Sequence, residues 1–278
     1  MAAVEPSEQE PVVASDHSAS ARHAFVRYLW LIGTIVPGAV FASWLAVHIT
    51  GHNAFWWMTP VLTFVVVPLV DHLVGVRSDY PPTGSSDVLE NDPFYRWATI
   101  LYLPVQYLSL IFACWLWAGG GWVTMSVLDK VGLMVTVGII GGVAINAAHE
   151  LGHRHEKAER WLSKMALAQT WYGHFFVEHN RGHHKRVATV EDPASSRYGE
   201  SVYHFVPRSM IGSLRSAWAI ESRRWAHRHR SRWTIQNDIL SAWLMSLALF
   251  TVLAVWFRPV VLPWLIGLVW FTLGPMAW

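Results

Sequence analysis

The 278 residues are 53% hydrophobic and only 14% charged, and they include 18 tryptophans, a balance that excludes an ordinary soluble domain. A formal net charge of +2 is too small for the footprint of a nucleic-acid binder. The single cysteine, Cys114, excludes a disulfide framework and a cysteine-held zinc or iron–sulfur centre.

Residues 1–22 are polar and acidic, with no basic stretch ahead of a short apolar core. They read as a disordered tail rather than a cleaved signal peptide. Residues 23–278 read as one membrane domain. Apolar runs at 25–49, 55–74, 98–117, 131–148, 239–257 and 260–278 suit a hydrocarbon core of about 30 Å, which takes roughly 20 helical residues to cross. Thr50-Gly51-His52-Asn53 and Gly119-Gly120-Gly121 separate neighbouring runs as short turns, and Pro81-Pro82-Thr83-Gly84-Ser85-Ser86 reads as an exposed loop. Of the 21 lysines and arginines, all but Lys130 and Arg258 fall before or at the start of the first run, between the second and third, or between the fourth and fifth. The excess of cations in cytoplasmic loops then puts the N-terminus and both large polar loops in the cytoplasm. The expected architecture is all-α, a polytopic bundle of six transmembrane helices.

Seven of the 15 histidines lie between His149 and His184, at the cytoplasmic end of the fourth run and just beyond it. In His149-Glu150-Leu151-Gly152-His153 two imidazoles stand four apart, so on a helix they share a face and can grip one metal. The pair recurs at His179 and His183 in Glu178-His179-Asn180-Arg181-Gly182-His183-His184. His184 follows about 100° further round a helix, where it can turn to a second metal. His-Glu-Leu-Gly-His also matches a zinc metalloprotease pattern, but a single catalytic zinc uses three protein ligands and leaves the second cluster without a role. Five imidazoles suit a two-metal centre, and imidazole alone does not name the metal. His155 reads as a surface residue.

The stretches Asn146 to His153 and Tyr172 to His184 resemble the first two histidine boxes of integral-membrane alkane 1-monooxygenases, and residues 187–200, with Asp192-Pro193-Ala194-Ser195, are similar to that family's own signature. The likeness continues through Tyr203, Arg208 and Ser209. The resemblance implies a desaturase/hydroxylase-like helical bundle with a cytoplasmic di-iron region, and makes 23–278 a membrane hydroxylase domain. It implies two irons held by histidines, here His149, His153, His179, His183 and His184. It also implies O2-dependent terminal hydroxylation of medium-chain alkanes, and electrons from a rubredoxin reduced by a NAD(P)H-dependent reductase, in a bacterial inner membrane. That rubredoxin is then expected as a separate protein or fused beyond residue 278. Related alternatives are an aryl-methyl monooxygenase or a fatty-acid desaturase, and a non-enzymatic metal-binding membrane protein is a third.

Two further histidine segments of that family do not occur in these 278 residues. The expectation is therefore a longer protein, whose 278-residue portion alone neither holds two irons nor oxidises alkanes.

Carboxylates placed to hold the far side of a liganding imidazole are Asp71, Glu150, Glu178 and Asp192. Candidate walls of a substrate channel are Trp56, Trp57, Phe64, Trp115 and Trp117. The basic loop from Arg215 to Arg232, with Arg223 and Arg224, is the candidate docking surface for an acidic rubredoxin.

Overall fold

The computed structural model of the protein describes residues 31, 33–75 and 93–273. The tail 1–22, the start of the first run, Arg22, Arg27 and Arg77, the 81–86 loop and residues 274–278 of the sixth run lie outside the described residues. Among the described residues the structure is helical without a strand. Among the described residues five helical stretches are long and apolar enough to cross a membrane: Gly33–Thr50, Asn53–Val74, Pro93–Trp117, Val127–His153 and Asp238–Phe257. The sixth run forms a shorter apolar helix, Pro259–Phe271. We label the helices α1 (Ala39–Thr50), α2 (Asn53–Val74), α3 (Pro93–Trp117), α4 (Val127–His153), α5 (Lys157–Ala168), α6 (Phe175–Arg186), α7 (Val202–Ala226), α8 (Asp238–Phe257) and α9 (Leu262–Phe271).

Local chemistry sets the boundaries. Gly51 closes α1 at φ +72°, a left-handed conformation that glycine adopts without a Cβ clash. Ser126 and Asp129 start α4 with a reciprocal capping box: the Ser126 hydroxyl accepts from Asp129 N–H, and the Asp129 carboxylate accepts from Ser126 N–H at 2.7 Å. The same carboxylate accepts from the Asn53 amide at 3.0 Å, tying α2 to α4. Asn237 caps α8 by accepting from Ile239 N–H at 2.9 Å.

α4 is the axis of the bundle. Most of it is buried, and its glycines let neighbours approach closely, as small residues do between membrane helices. A Cβ on Gly138 would lie 2.5 Å from the Phe271 ring of α9. The Thr272 hydroxyl donates to Gly138 C=O at 3.0 Å and the Tyr102 hydroxyl of α3 donates to Ile140 C=O at 2.7 Å. At the end of α4 the chain turns into the short amphipathic α5, which packs against both α4 and the start of α8. The Ser163 hydroxyl donates to Ala148 C=O at 2.6 Å, and the Lys164 ammonium pairs with Asp238 at 2.6 Å. The ends of α4 and α8 therefore sit at one rim, with α5 and α6 folded across it.

Candidate metal centre

The first histidine box is the last turn of α4, so His149 and His153 stand on one face with ring centroids 4.6 Å apart. Leu151 and Gly152 occupy the inward face and are buried. A Cβ on Gly152 would come within 3.1 Å of the Asn180 amide and 3.3 Å of the Ser163 hydroxyl. This glycine is what lets α6 lie close to the end of α4.

α6 begins as α-helix at Phe175–Glu178, widens into a π-helical turn at His179–His183, and ends as His184–Arg186. The i→i+5 pattern of a π turn shifts the register by one residue. It brings His184, rather than His183, round to the side of His179. The His184 and His179 Nε2 atoms are 3.0 Å apart, and each lies 3.2 Å from His153 Nε2. His149 Nε2 lies 3.2 Å from His153 Nε2. The four ligand atoms of His149, His153, His179 and His184 all fall within 4.8 Å of one another.

Hydrogen bonding does not account for this packing. A neutral imidazole has one N–H and one lone pair, so three Nε2 atoms in a triangle can satisfy at most a fraction of their contacts. A cation on the four lone pairs does account for it, because nitrogens about 2.0–2.1 Å from a common metal lie about 3.0–3.4 Å from one another. Charge points the same way. Burial, reinforced by the neighbouring imidazoles, pushes the His179 pKa down to about 3, leaving its ring neutral and available as a ligand. Phe175 stacks on His179 at 4.9 Å, and Tyr172 on Phe175 at 5.3 Å, fixing the plane of that ring.

Of the four carboxylates expected beside the histidines, two lie within hydrogen-bond distance of a histidine Nδ1. Glu150 accepts from His149 Nδ1 at 3.0 Å. Asp192 accepts from His183 Nδ1 at 2.8 Å, from the Ser195 hydroxyl at 2.6 Å and from Ala194 N–H at 3.1 Å. Burial opposes the Asp192 charge, but these hydrogen bonds outweigh it and hold the carboxyl below its ordinary range. In both pairs Nδ1 is engaged, which leaves Nε2 as the free nitrogen. His183 therefore stands apart from the group of four, oriented by Asp192. Glu178 has another task. It is buried under Gly182, where an added Cβ would meet its carboxylate at 2.6 Å, and it pairs with Arg186 at 2.7 Å. Burial raises its pKa. Asp71 is exposed near the end of α2 and is not in the histidine group.

A cavity of about 400 Å3 opens beside the group, lined by Thr34, Ala98, Tyr102, Val143, Ala147 and His149 among others. None of the five aromatic residues expected to wall a channel lines it. Trp57 packs on Gly132, near the start of α4, and the Trp117 indole donates to Lys130 C=O at 3.4 Å. That end of α4 is about 25 Å from His149 at 1.5 Å per residue. Trp115 makes an edge contact with Trp122, while Trp56 is fully buried in the core. Phe64 is exposed on α2 with its ring edge towards Phe271. Arg223 is exposed, but Arg224 is bound to Glu221 and Asp238, both at 2.9 Å.

Several supporting residues have no local signature in the sequence. Glu221, fully buried in α7, accepts from Arg181 of α6 and Arg224, and from Asp238 N–H at 3.1 Å. Arg208 donates to Glu200 at 2.6 Å and to the carbonyls of Pro193 and Ser195, bracing the loop that carries Asp192. His174 is buried beneath the second box, its pKa pushed by burial down to about 4. Arg181 meets Glu221 and Asp238, 40 and 57 residues away, only after packing.

A model of the fatty acid desaturase family matches residues 125–278, the stretch that carries both boxes. The chain is similar to an alkane 1-monooxygenase of Pseudomonas putida, 39% identical over 240 residues that make up 86% of this chain and 59% of that protein. One from Ectopseudomonas oleovorans is 39% identical over the same shares of each chain. Alkane 1-monooxygenase 1 of Alcanivorax borkumensis is 36% identical over 239 residues, 85% of this chain and 58% of that protein. The chain thus spans about three fifths of the length of the curated relatives it matches. Apolar spans, two histidine boxes at one rim and a family match over more than half the residues lead to one conclusion: this integral membrane protein belongs to the fatty acid desaturase family.

Proposed function

We propose that the protein is the membrane hydroxylase of an alkane 1-monooxygenase, which converts medium-chain alkanes to 1-alkanols with O2. The observation that carries the reading is the convergence of four histidine nitrogens within 4.8 Å beside a cavity with mostly apolar walls. The substrate class is supported by the alkane 1-monooxygenases to which the chain is similar.

In this reading His149, His153, His179 and His184 hold one iron, and His183, its Nε2 left free by Asp192, is a ligand of a second. When bound, such irons supply the activation of O2 needed to break an unactivated C–H bond. The chain's own residues orient and exclude. Glu150 and Asp192 fix the tautomers of His149 and His183. Ala98, Val143 and Ala147 give the hydrocarbon a dry wall up to His149, and water is kept from the reacting end. Electrons come from a rubredoxin, served by a NAD(P)H-dependent reductase, docking on the exposed Arg223 and its neighbours Arg230 and Arg232. The membrane is the bacterial inner membrane, with the N-terminus and the histidines on the cytoplasmic side.

The test uses the full-length protein, iron-loaded in lipid and supplied with reduced rubredoxin, with products of octane analysed by gas chromatography. Formation of 1-octanol is expected. An iron-loaded protein that oxidises xylene or an acyl thioester and leaves octane untouched would overturn the reading.

A further inference from the structure

At the α5–α8 junction lies a second cavity, of about 200 Å3, lined by Lys157, Arg160, Trp161, Lys164, Phe176, Arg224 and Asp238. Four cations face one carboxylate. Lys164 is buried, with its ammonium bonded to Asp238 at 2.6 Å and Ser241 at 3.1 Å and held over the Trp161 ring at 4.7 Å. Arg224 is fixed by Glu221 and Asp238. These two make a rigid back wall whose charge the local acids already share.

Lys157 and Arg160 differ. Both line the cavity, and neither pairs with a carboxylate among the described residues. The acids next to them in sequence are diverted: Glu156 and Glu159 both bind Arg96 of α3, at 2.8 and 2.7 Å. Arg160 instead rests over the Phe176 ring at 5.6 Å. Two cations without a carboxylate partner among the described residues thus line a concave site that also presents the rings of Trp161 and Phe176. Its depth is set by the helices. α5 begins four residues after the end of the α4 span, and Asp238 is the first residue of the α8 span. The cavity therefore sits at the level where membrane helices emerge, with half-exposed Trp161 beside it, the depth of lipid headgroups. α8 exposes Leu244, Leu247 and Val255 along its length, so lipid chains border the helix that opens the site. Basic pockets between membrane helices at that depth are suited to phosphate-bearing headgroups.

We propose that this pocket binds a phosphate group, with Lys157 and Arg160 as its contacts, and that its source is an anionic phospholipid on the membrane face that carries the histidines. The full-length protein is placed in nanodiscs of phosphatidylcholine, with and without phosphatidylglycerol, and thermal unfolding and lipid retention in native mass spectrometry are read. Phosphatidylglycerol raises the unfolding midpoint of the parent protein and stays bound. The Lys157→Ala/Arg160→Ala variant unfolds at the parent's midpoint in phosphatidylcholine but retains phosphatidylglycerol roughly thirtyfold more weakly, the expected effect of removing two surface cations. Should the double variant fail to fold, Lys157→Gln alone, at an exposed position, shows the same loss in smaller measure. In a parallel arm, inorganic phosphate is added to phosphatidylcholine nanodiscs. A midpoint shift from phosphate that the variant lacks would keep the site and assign it to free phosphate. Equal retention of phosphatidylglycerol by parent and variant, or no response to either ligand, overturns the proposal.

Discussion

His179 and His184 are five residues apart, and their Nε2 atoms lie 3.0 Å from each other. On a regular α-helix residues four apart share a face, and a fifth is turned well away. The π-helical turn at His179–His183 removes that offset. It is why His184 joins His149, His153 and His179, while His183 is left to Asp192.

The π turn depends on Gly182, because a Cβ there would sit 2.6 Å from the buried Glu178 carboxylate. Gly182→Ala in the full-length protein is expected to lower stability by about 1–3 kcal/mol and to reduce bound iron. Thermal unfolding and iron analysis by plasma mass spectrometry check this. Normal iron content in the variant would show that the turn tolerates a side chain.

Asp192 anchors His183 with a carboxylate that itself accepts two further hydrogen bonds. Replacing it with Asn keeps the size and removes the charge, and loss of such a support typically weakens metal affinity 10–100-fold. Iron titration of Asp192→Asn should therefore show weakened affinity, and Glu150→Gln, at a half-exposed site, a smaller effect.

The pair Glu200–Arg208 braces the 193–195 loop. The Arg208 guanidinium holds the Glu200 carboxyl down to about 2, from an ordinary 4.5. A carboxyl whose pKa is lower folded than unfolded stabilises above its unfolded value and loses that contribution as pH falls through the folded one. The brace is thus intact at neutral pH and weakens between about 4.5 and about 2. Glu200→Gln should remove that part of the acid dependence, measured as the difference in unfolding midpoint between parent and variant across this window.

Glu221 is fully buried with Arg181 and Arg224 as its cations. Arg181→Ala strands part of that charge, and breaking a buried pair from one side costs about 3–5 kcal/mol. Denaturant unfolding should show a loss near that range. Arg223→Glu, at an exposed position, should leave unfolding unchanged and alter only the salt dependence of turnover with rubredoxin.

Ala147 and Val143 line the cavity next to His149. Filling it with Val143→Phe is expected to shift the preferred alkane towards shorter chains, while Trp115→Ala, far from the cavity, should leave the preference unchanged. Product ratios from mixed alkanes decide. An unaltered ratio in Val143→Phe would place the hydrocarbon elsewhere.

What the residues alone determined is what local physics encodes. Apolar runs of about 20 residues identify spans because only a helix satisfies its own backbone in lipid. The four-residue spacing of His149 and His153 marks a shared face wherever that stretch is helical, as it is at the end of α4. Glu150 beside His149 is legible for the same reason. Tertiary structure decided everything that joins distant segments. It chose His184 over His183 for the group of four, through a π turn that no periodicity announces. It drew Glu221, Arg181 and Asp238 together across separations of 40 and 57 residues, and opened the cavity by His149 among small residues of α3 and α4 instead of among tryptophans. Hydrophobicity marks which residues leave water, whereas which of them leave a gap depends on how closely helices approach. At α4 that approach is governed by Gly138, Gly141 and Gly152, each defined by what packs against it.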